Sequence, residues 1–302
     1  MFNLVYPNRR IATRQVVGSP EAETSTVFPL AADDEAEVLS FLSRRPLHTF
    51  GMAGFIRTNG LVSPANPGTF YACRDREYRL DSVALIGHFI LFDTPKASTA
   101  EPAIRAFARL AENCSDIGMV LGEEENVARF WNHYSGNLRT FNTRRYILLV
   151  KNFGPAEAYE RVHNLRRATL DDLNLVVAAH AQSVFEDRGV DPLQTDLAAF
   201  VQRCAERIGQ GRTWIWTEGQ NLIAKAEVTT ETPEVVYLEA IWVNPEVRRN
   251  GYGSRFVSQL SNFLLEHTAS VCLLVNEENT KARSLYTKIG YKPMSYYRAI
   301  LV

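Results

Sequence analysis

The stretch Val243-Asn244-Pro245-Glu246-Val247-Arg248-Arg249-Asn250-Gly251-Tyr252-Gly253-Ser254 limits the fold more than any other part of the chain. An apolar run over residues 235–243 leads into it. A helical pattern follows, with Phe256, Val257, Leu260, Phe263 and Leu264 on one face. A strand therefore passes into an amphipathic helix through a glycine-bearing turn. The free N–H groups of a helix's first turn form an anion site. Gly251 and Gly253 have no Cβ, so a phosphate can approach the backbone closely. Arg248 and Arg249 add positive charge beside it. A pyrophosphate is the guest such a turn suits.

A second patterned segment follows the apolar run at 271–275. It reads Asn276-Glu-Glu-Asn279-Thr-Lys-Ala282-Arg-Ser-Leu285-Tyr286-Thr-Lys288-Ile-Gly290-Tyr291. Asn279 is a suitable N-cap and Gly290 a suitable residue just past the helix end. Ala282, Leu285, Tyr286 and Ile289 fall on one helical face.

The order of elements repeats along the chain. From residue 31 the periodicity gives helices over 31–43 and 47–58. Strands follow over 69–74, 82–87 and 88–92, the last two readable as one long strand. A helix capped by Ser98-Thr99 comes next, then a strand over 117–122, a helix over 124–134 and a strand over 145–150. Residues 1–32 read as an irregular lead. Asn-Phe-Gly-Pro near 152–156 breaks the pattern. Beyond it come a strand over 162–166, helices opening at Thr169 and Thr195-Asp196, and a meander over 213–217, 222–229 and 235–243. The helix over 253–267, a strand over 270–275, a helix over 279–289 and a strand over 296–302 complete it. The expected class is α+β. It has two similar domains, 1–154 and 155–302, each a mixed, mostly antiparallel sheet flanked by helices.

Residues 160–302 resemble the GNAT superfamily of acetyl-CoA-dependent N-acetyltransferases. The resemblance rests on V-x-P-x-x-R-x-x-G-x-G at 243–253 and N-x-x-A-x-x-L-Y-x-K-x-G-Y at 279–291. It implies that backbone groups of Ile241, Trp242 and Val243 pair with the pantetheine arm. It implies that Arg248, Arg249, Asn250, Gly251, Tyr252, Gly253 and Ser254 hold the pyrophosphate, that Asn279 and Ala282 line the thioester end, and that Tyr286 lies near the sulfur. The family often places an acidic residue on the strand before the loop. Glu239 is that candidate, while the family's common position matches Tyr237. Glu239 reads equally as the base that takes the amine's proton, or as a polar residue hydrogen-bonded in the sheet or bound to a cationic substrate. Tyr286 reads as the acid that protonates the leaving thiolate, or as a core aromatic. An N–H freed where the strand splays near Trp242 and Val243 is a candidate oxyanion donor.

The first half lacks R-x-x-G-x-G; residues 93–102 stand in its place. It resembles a degenerate acetyltransferase-like domain, expected to be structural and to shape the acceptor cleft. The expected function is direct acetyl transfer from acetyl-CoA to a primary amine in a ternary complex. The alternatives are a CoA-binding regulatory module, or a transferase of aminoacyl or longer acyl groups. The acceptor class is a small molecule or peptide amine. Glu186, Asp187 and Asp191, read as an acidic loop, favour a cationic one.

Charge and composition narrow the partners. Lys+Arg 33 against Asp+Glu 34 gives a net charge of -1, so no global field holds nucleic acid or an anionic membrane. The apolar run at 83–92 is too short to span a bilayer. Residues 1–10 lack a signal-peptide core. Cys73, Cys114, Cys204 and Cys272 form no C-x-x-C pair, and the six histidines lack metal-ligand spacing. No metal and a reduced, cytoplasmic setting are expected, with a monomer or homodimer. A nucleotide P-loop and a G-x-S-x-G elbow are absent from the sequence.

Overall fold

The computed structural model describes residues 27–95, 97–134, 142–152 and 161–302. Most of the lead and most of the sequence-predicted boundary lie outside these residues. In chain order the first elements are β1 (Val27–Pro29), α1 (Glu35–Leu42), α2 (Pro46–Asn59), β2 (Gly68–Arg74), β3 (Leu80–Gly87) and β4 (Phe89–Asp93). Then come α3 (Ala97–Ala111), β5 (Met119–Glu123), α4 (Glu124–His133), β6 (Asn142–Asn152), β7 (Leu165–Arg167), α5 (Leu173–Arg188), α6 (Pro192–Thr195) and α7 (Leu197–Gly209). The last are β8 (Thr213–Glu218), β9 (Asn221–Glu231), β10 (Val236–Val243), α8 (Tyr252–Leu265), β11 (Ser270–Asn276), α9 (Thr280–Lys288) and β12 (Lys292–Leu301).

The chain forms two compact units, neither continuous in sequence. One holds the described residues up to Leu149 with Leu274–Thr280 and Pro293–Val302; the other holds the described part of Val150–Leu273 with Lys281–Lys292. The final strand thus clusters with the first unit. There β12 pairs antiparallel with β5, from Tyr297↔Glu123 to Leu301↔Met119.

In the first unit the strands run β1-β2-β3-β4-β5-β12. β4 and β5 are parallel and the other pairs antiparallel. Residues 82–92 form two strands, with Val83↔Asp93 and Leu85↔Leu91 as partners. Both strands are buried almost throughout, so no apolar-polar alternation marks the break between them. α3 begins at Ala97, ahead of the expected Ser98-Thr99 cap. Phe92, Ile104, Phe107, Val120 and Phe130 share its core with Ile300 of β12.

In the second unit the order is β11-β10-β9-β8-β7. β8 to β10 form the expected antiparallel meander, and β7 pairs antiparallel with β8. Side chains alternate between faces. Ile215 and Trp242 lie under α5 and α7, with Val176, Phe200, Cys204 and Ile208. Trp214 and Trp216, flanking Ile215, meet Phe263 and Tyr252 of α8 at ring distances of 5.1 and 5.0 Å. The short helix α6, read as loop in the sequence, is capped by Asp191, which accepts from Leu193 N–H at 3.0 Å.

Both units open with the same device. Asp34 accepts from Ala31 N–H at 2.8 Å, and Asp172 from Thr169 N–H at 2.8 Å. Arg166 adds two bonds to Asp172, at 2.7 and 2.9 Å, which with the Thr169 bonds hold its carboxyl down to about 2. Among the described residues no helix is long and apolar enough to cross a membrane.

Candidate functional site

β10 is the strand that organises the site. It pairs in parallel with β11 at Val236↔Val271 and Tyr237↔Cys272, while its ladder with β9 runs on to Val243↔Ala224. That ladder carries a bulge: Glu239 faces Glu227 and Trp242 faces Lys225, so Ala240 and Ile241 together oppose Ala226. Ala240 takes φ +48°, a strained value for a residue with a Cβ.

Past the bulge the backbone directions can be followed. Asn244 N–H donates to Ile223 C=O at 2.9 Å, so Asn244 faces β9. Alternation turns Trp242's N–H and C=O toward β9 as well, and those of Val243 away from it. Of the three residues expected to address a bound arm, Trp242 therefore has its backbone groups turned to β9 and Val243 has them turned away. The Val243 carbonyl already accepts from Arg248 Nε at 2.9 Å. The Trp242 indole is buried, and its Nε1 has no hydrogen-bond partner among the described residues.

The turn into α8 is opened by a single tight turn, residues 245–247, capped by Asn244, which accepts from Glu246 N–H at 3.0 Å. Arg249 and Gly251 take φ +69° and +83°. Gly251 is the N-cap of α8; it has no side chain to cap the helix, and a Cβ there would meet nothing within 4 Å. The first N–H groups of α8 therefore have no side-chain cap. Gly253 differs from the expectation of phosphate clearance. A Cβ there would lie 2.9 Å from Leu285 Cδ1 and 3.3 Å from Val243 Cγ2. Its bareness serves the packing of α8 against α9 and β10. Ser254 is half-buried and Asn250 exposed. Tyr252 packs on Trp216 and beneath the Arg255 guanidinium, 4.6 Å from its ring centre.

The two arginines of the turn part ways. Arg248 Nη2 donates to both oxygens of Glu186 at 3.0 Å, tying the turn to α5. Glu186 thus lies in a helix as an arginine partner, and Asp191 is a helix cap. Neither is part of the free acidic loop that the sequence suggested. Arg249 is exposed.

α9 closes the site. Asn279 directly precedes it and is exposed; Ala282 is half-buried and Tyr286 buried. The helix ends as its sequence predicts, with Gly290 at φ +94°, Gly290 N–H on Thr287 C=O at 3.1 Å and Tyr291 N–H on Tyr286 C=O at 3.0 Å. Burial pushes the Tyr286 phenol above its ordinary value. The Tyr291 ring lies 5.8 Å from that of Tyr286, and its hydroxyl bonds Ser261 Oγ at 2.8 Å.

Glu239 is 6% exposed and Tyr237 1%. Sequence reasoning missed their neighbours. Lys225, fully buried, donates to Glu227 Oε1 at 3.0 Å and to Ala240 C=O at 3.3 Å. Thr213 Oγ1 donates to the other Glu227 oxygen at 3.2 Å. The signal was present: a lysine and a glutamate two apart within the otherwise apolar run 222–228.

This geometry matches known proteins in fold. Residues 220–299 match the family model of the FR47-like protein. An acetyltransferase from the GNAT family of Colwellia psychrerythraea aligns with 10% identity over 92% of this chain and 100% of its own, at a TM-score of 0.56. A tandem GNAT protein from the clavulanic acid biosynthesis pathway aligns with 15% identity over 91% and 98%, also at 0.56. The fold is the tandem GNAT fold. A GCN5-related N-acetyltransferase from Sphaerobacter thermophilus agrees, with 11% identity over 91% and 94% and a TM-score of 0.55. No curated protein matches the chain. Among the described residues of this GNAT-fold chain, no group of three or more His, Cys, Asp or Glu is placed to hold a metal ion.

The residues present fit an acyl-CoA. An uncapped helix start behind Gly251 suits a diphosphate. The outward groups of Ile241 and Val243 suit an amide-bearing arm laid along β10, in the manner of an added strand.

Proposed function

We propose that the second unit is an acyltransferase that moves an acetyl group from acetyl-CoA to a primary amine by direct attack. The observation that carries this reading is the bare, uncapped start of α8 at Gly251, beside the part of β10 that has left β11. The tandem GNAT fold supports the donor class. The bound donor supplies a thioester carbonyl open to nucleophilic attack.

The residues then divide the work. The N–H groups from Tyr252 to Ser254, with Arg249 and Asn250, hold the diphosphate. Arg248, pinned by Glu186, sets the shape of the turn. The N–H of Ile241 stabilises negative charge on the carbonyl oxygen during attack. Ala282 borders the acyl end. A lysine-like amine is only about one part in 10³ neutral at pH 7, so it must shed a proton before it attacks. Glu239, on the buried face of β10, receives that proton directly or through water.

Tyr286 acts on the leaving sulfur as a hydrogen-bond donor. Its phenol is already raised by burial, and full transfer to a thiolate whose acid has pKa near 8.5 would run uphill. A donated hydrogen bond needs no such transfer, and the departing sulfur takes the second proton, which the amine nitrogen sheds as the amide forms.

The test is calorimetric titration with acetyl-CoA, followed by acyl transfer across a panel of primary amines. Binding with turnover is expected. No heat with acetyl-CoA would remove the donor assignment. Binding without turnover would leave a CoA sensor, and stronger competition by longer acyl-CoAs would change the acyl group.

A further inference from the structure

Lys225 is an unusual residue to find wholly inside a sheet. A buried ammonium costs several kcal/mol unless it is paired and hydrogen-bonded. Glu227 neutralises it at 3.0 Å, and that pairing alone would satisfy the charge. Yet Nζ also reaches across to the Ala240 carbonyl at 3.3 Å. That carbonyl belongs to the bulged residue with φ +48°. A bulge of this kind, with a non-glycine residue in the left-handed region, is strained and persists only where the surroundings hold it.

A trans peptide plane has its C=O and the following N–H pointing in opposite directions. Holding the Ala240 carbonyl toward Lys225 therefore turns the Ile241 N–H away from Lys225. In the reading above, that N–H faces the thioester oxygen. The geometry points to Lys225 as a positioning residue: its bond to the Ala240 carbonyl fixes the β10 bulge and so aims the Ile241 amide. This inference rests on the proposed function for its effect on rate, and not for its effect on the bulge.

Three variants test it. Lys225→Met removes the donor to Ala240. Lys225→Met/Glu227→Met removes both charges, so Glu227 is not left buried without its cation. Glu227→Gln keeps an oxygen acceptor for Nζ and leaves the Ala240 bond in place. Both lysine variants should lower kcat by about 10²-fold, the size of a lost oxyanion donor, with acetyl-CoA affinity within about twofold of wild type. Glu227→Gln should stay within about threefold in kcat. Hydrogen exchange at the Ile241 amide should speed up at least about tenfold in the lysine variants only.

Either lysine variant, if folded and near wild type in kcat, would overturn the positioning role. So would a Glu227→Gln loss as large as that of Lys225→Met, which would make the charge pair the active feature. If the wild-type chain neither binds acetyl-CoA nor turns over, the proposed function fails alone. A crystal structure of the double variant then still decides the bulge: Ala240 kept at positive φ with its carbonyl unmoved would overturn the claim.

Discussion

In the first unit β4 and β5 pair at Phe89↔Met119 and Ile90↔Val120; in the second, β10 and β11 pair at Val236↔Val271 and Tyr237↔Cys272. Each parallel ladder is two rungs long, and past it the strands go separate ways. In the second unit β10 runs on to Val243, and α8 starts after an eight-residue turn at a bare glycine. In the first, β4 stops at Asp93 and α3 begins at Ala97. There Arg45 ties the two strand ends together, bonding Asp93 at 2.5 Å and Glu123 at 2.7 Å. His48 packs alongside, with Nδ1 3.0 Å from the Tyr297 hydroxyl and 3.4 Å from Glu123. The same gap is left open at one place and strapped by a guanidinium at the other. If the proposed function holds, a turn and a few charges are what separate the unit that binds the donor from the unit that does not.

The contrast can be broken most directly at Gly251. Gly251→Val places a β-branched residue at φ +83° and a methyl group over the helix start. Acetyl-CoA binding should weaken by about 10²-fold in calorimetry, while the melting temperature moves by only a few degrees. Unchanged affinity would mean that the turn does not hold phosphate. On the other side, Arg45→Met should cost about 2 kcal/mol in denaturant unfolding and leave acetyl-CoA affinity unaltered. The cost stays below that of a fully buried pair because Arg45 and Glu123 are about a quarter exposed, at 26% and 27%. Loss of acetyl-CoA binding in this variant would show that the first unit takes part in donor binding.

A smaller effect is expected for Tyr286→Phe, which keeps the ring and removes the donor. Turnover should fall about tenfold with donor affinity preserved; wild-type turnover would leave Tyr286 as a core aromatic. The smallest effect is in pH dependence. Burial lifts the Asp93 carboxyl to about 6, against the pull of Arg45. Native Asp93 then holds its proton more tightly than an unfolded aspartate near 3.9. Stability should therefore fall as pH rises from about 4 to about 6, and Asp93→Asn should flatten that part of the curve. A slope unaffected by the substitution would place the proton elsewhere.

Much of this was readable in advance because the informative signals are local. Gly251 and Gly290 stand where positive φ is needed, and Asp196 caps α7 by accepting from Ala199 N–H at 3.0 Å. Alternation gave the meander of β8 to β10. What escaped were pairings between residues far apart in the chain. Arg248 meets Glu186, and Arg45 meets Asp93 and Glu123, without any mark in either local pattern. Lys225 was overlooked because a charged residue in a strand is by default assigned to solvent. The reason for Gly253 lay in Leu285, a neighbour only once α8 and α9 are packed.

The strand formed by the last ten residues before Val302 has a consequence for how the molecule is made. Because β12 pairs with β5, the sheet that begins at β1 waits for a strand from much later in the chain before β5 is covered. A gene cut at the midpoint would yield an amino-terminal fragment with β5 exposed and prone to self-association. Adding back a carboxy-terminal fragment, rather than a better chaperone, would be the remedy.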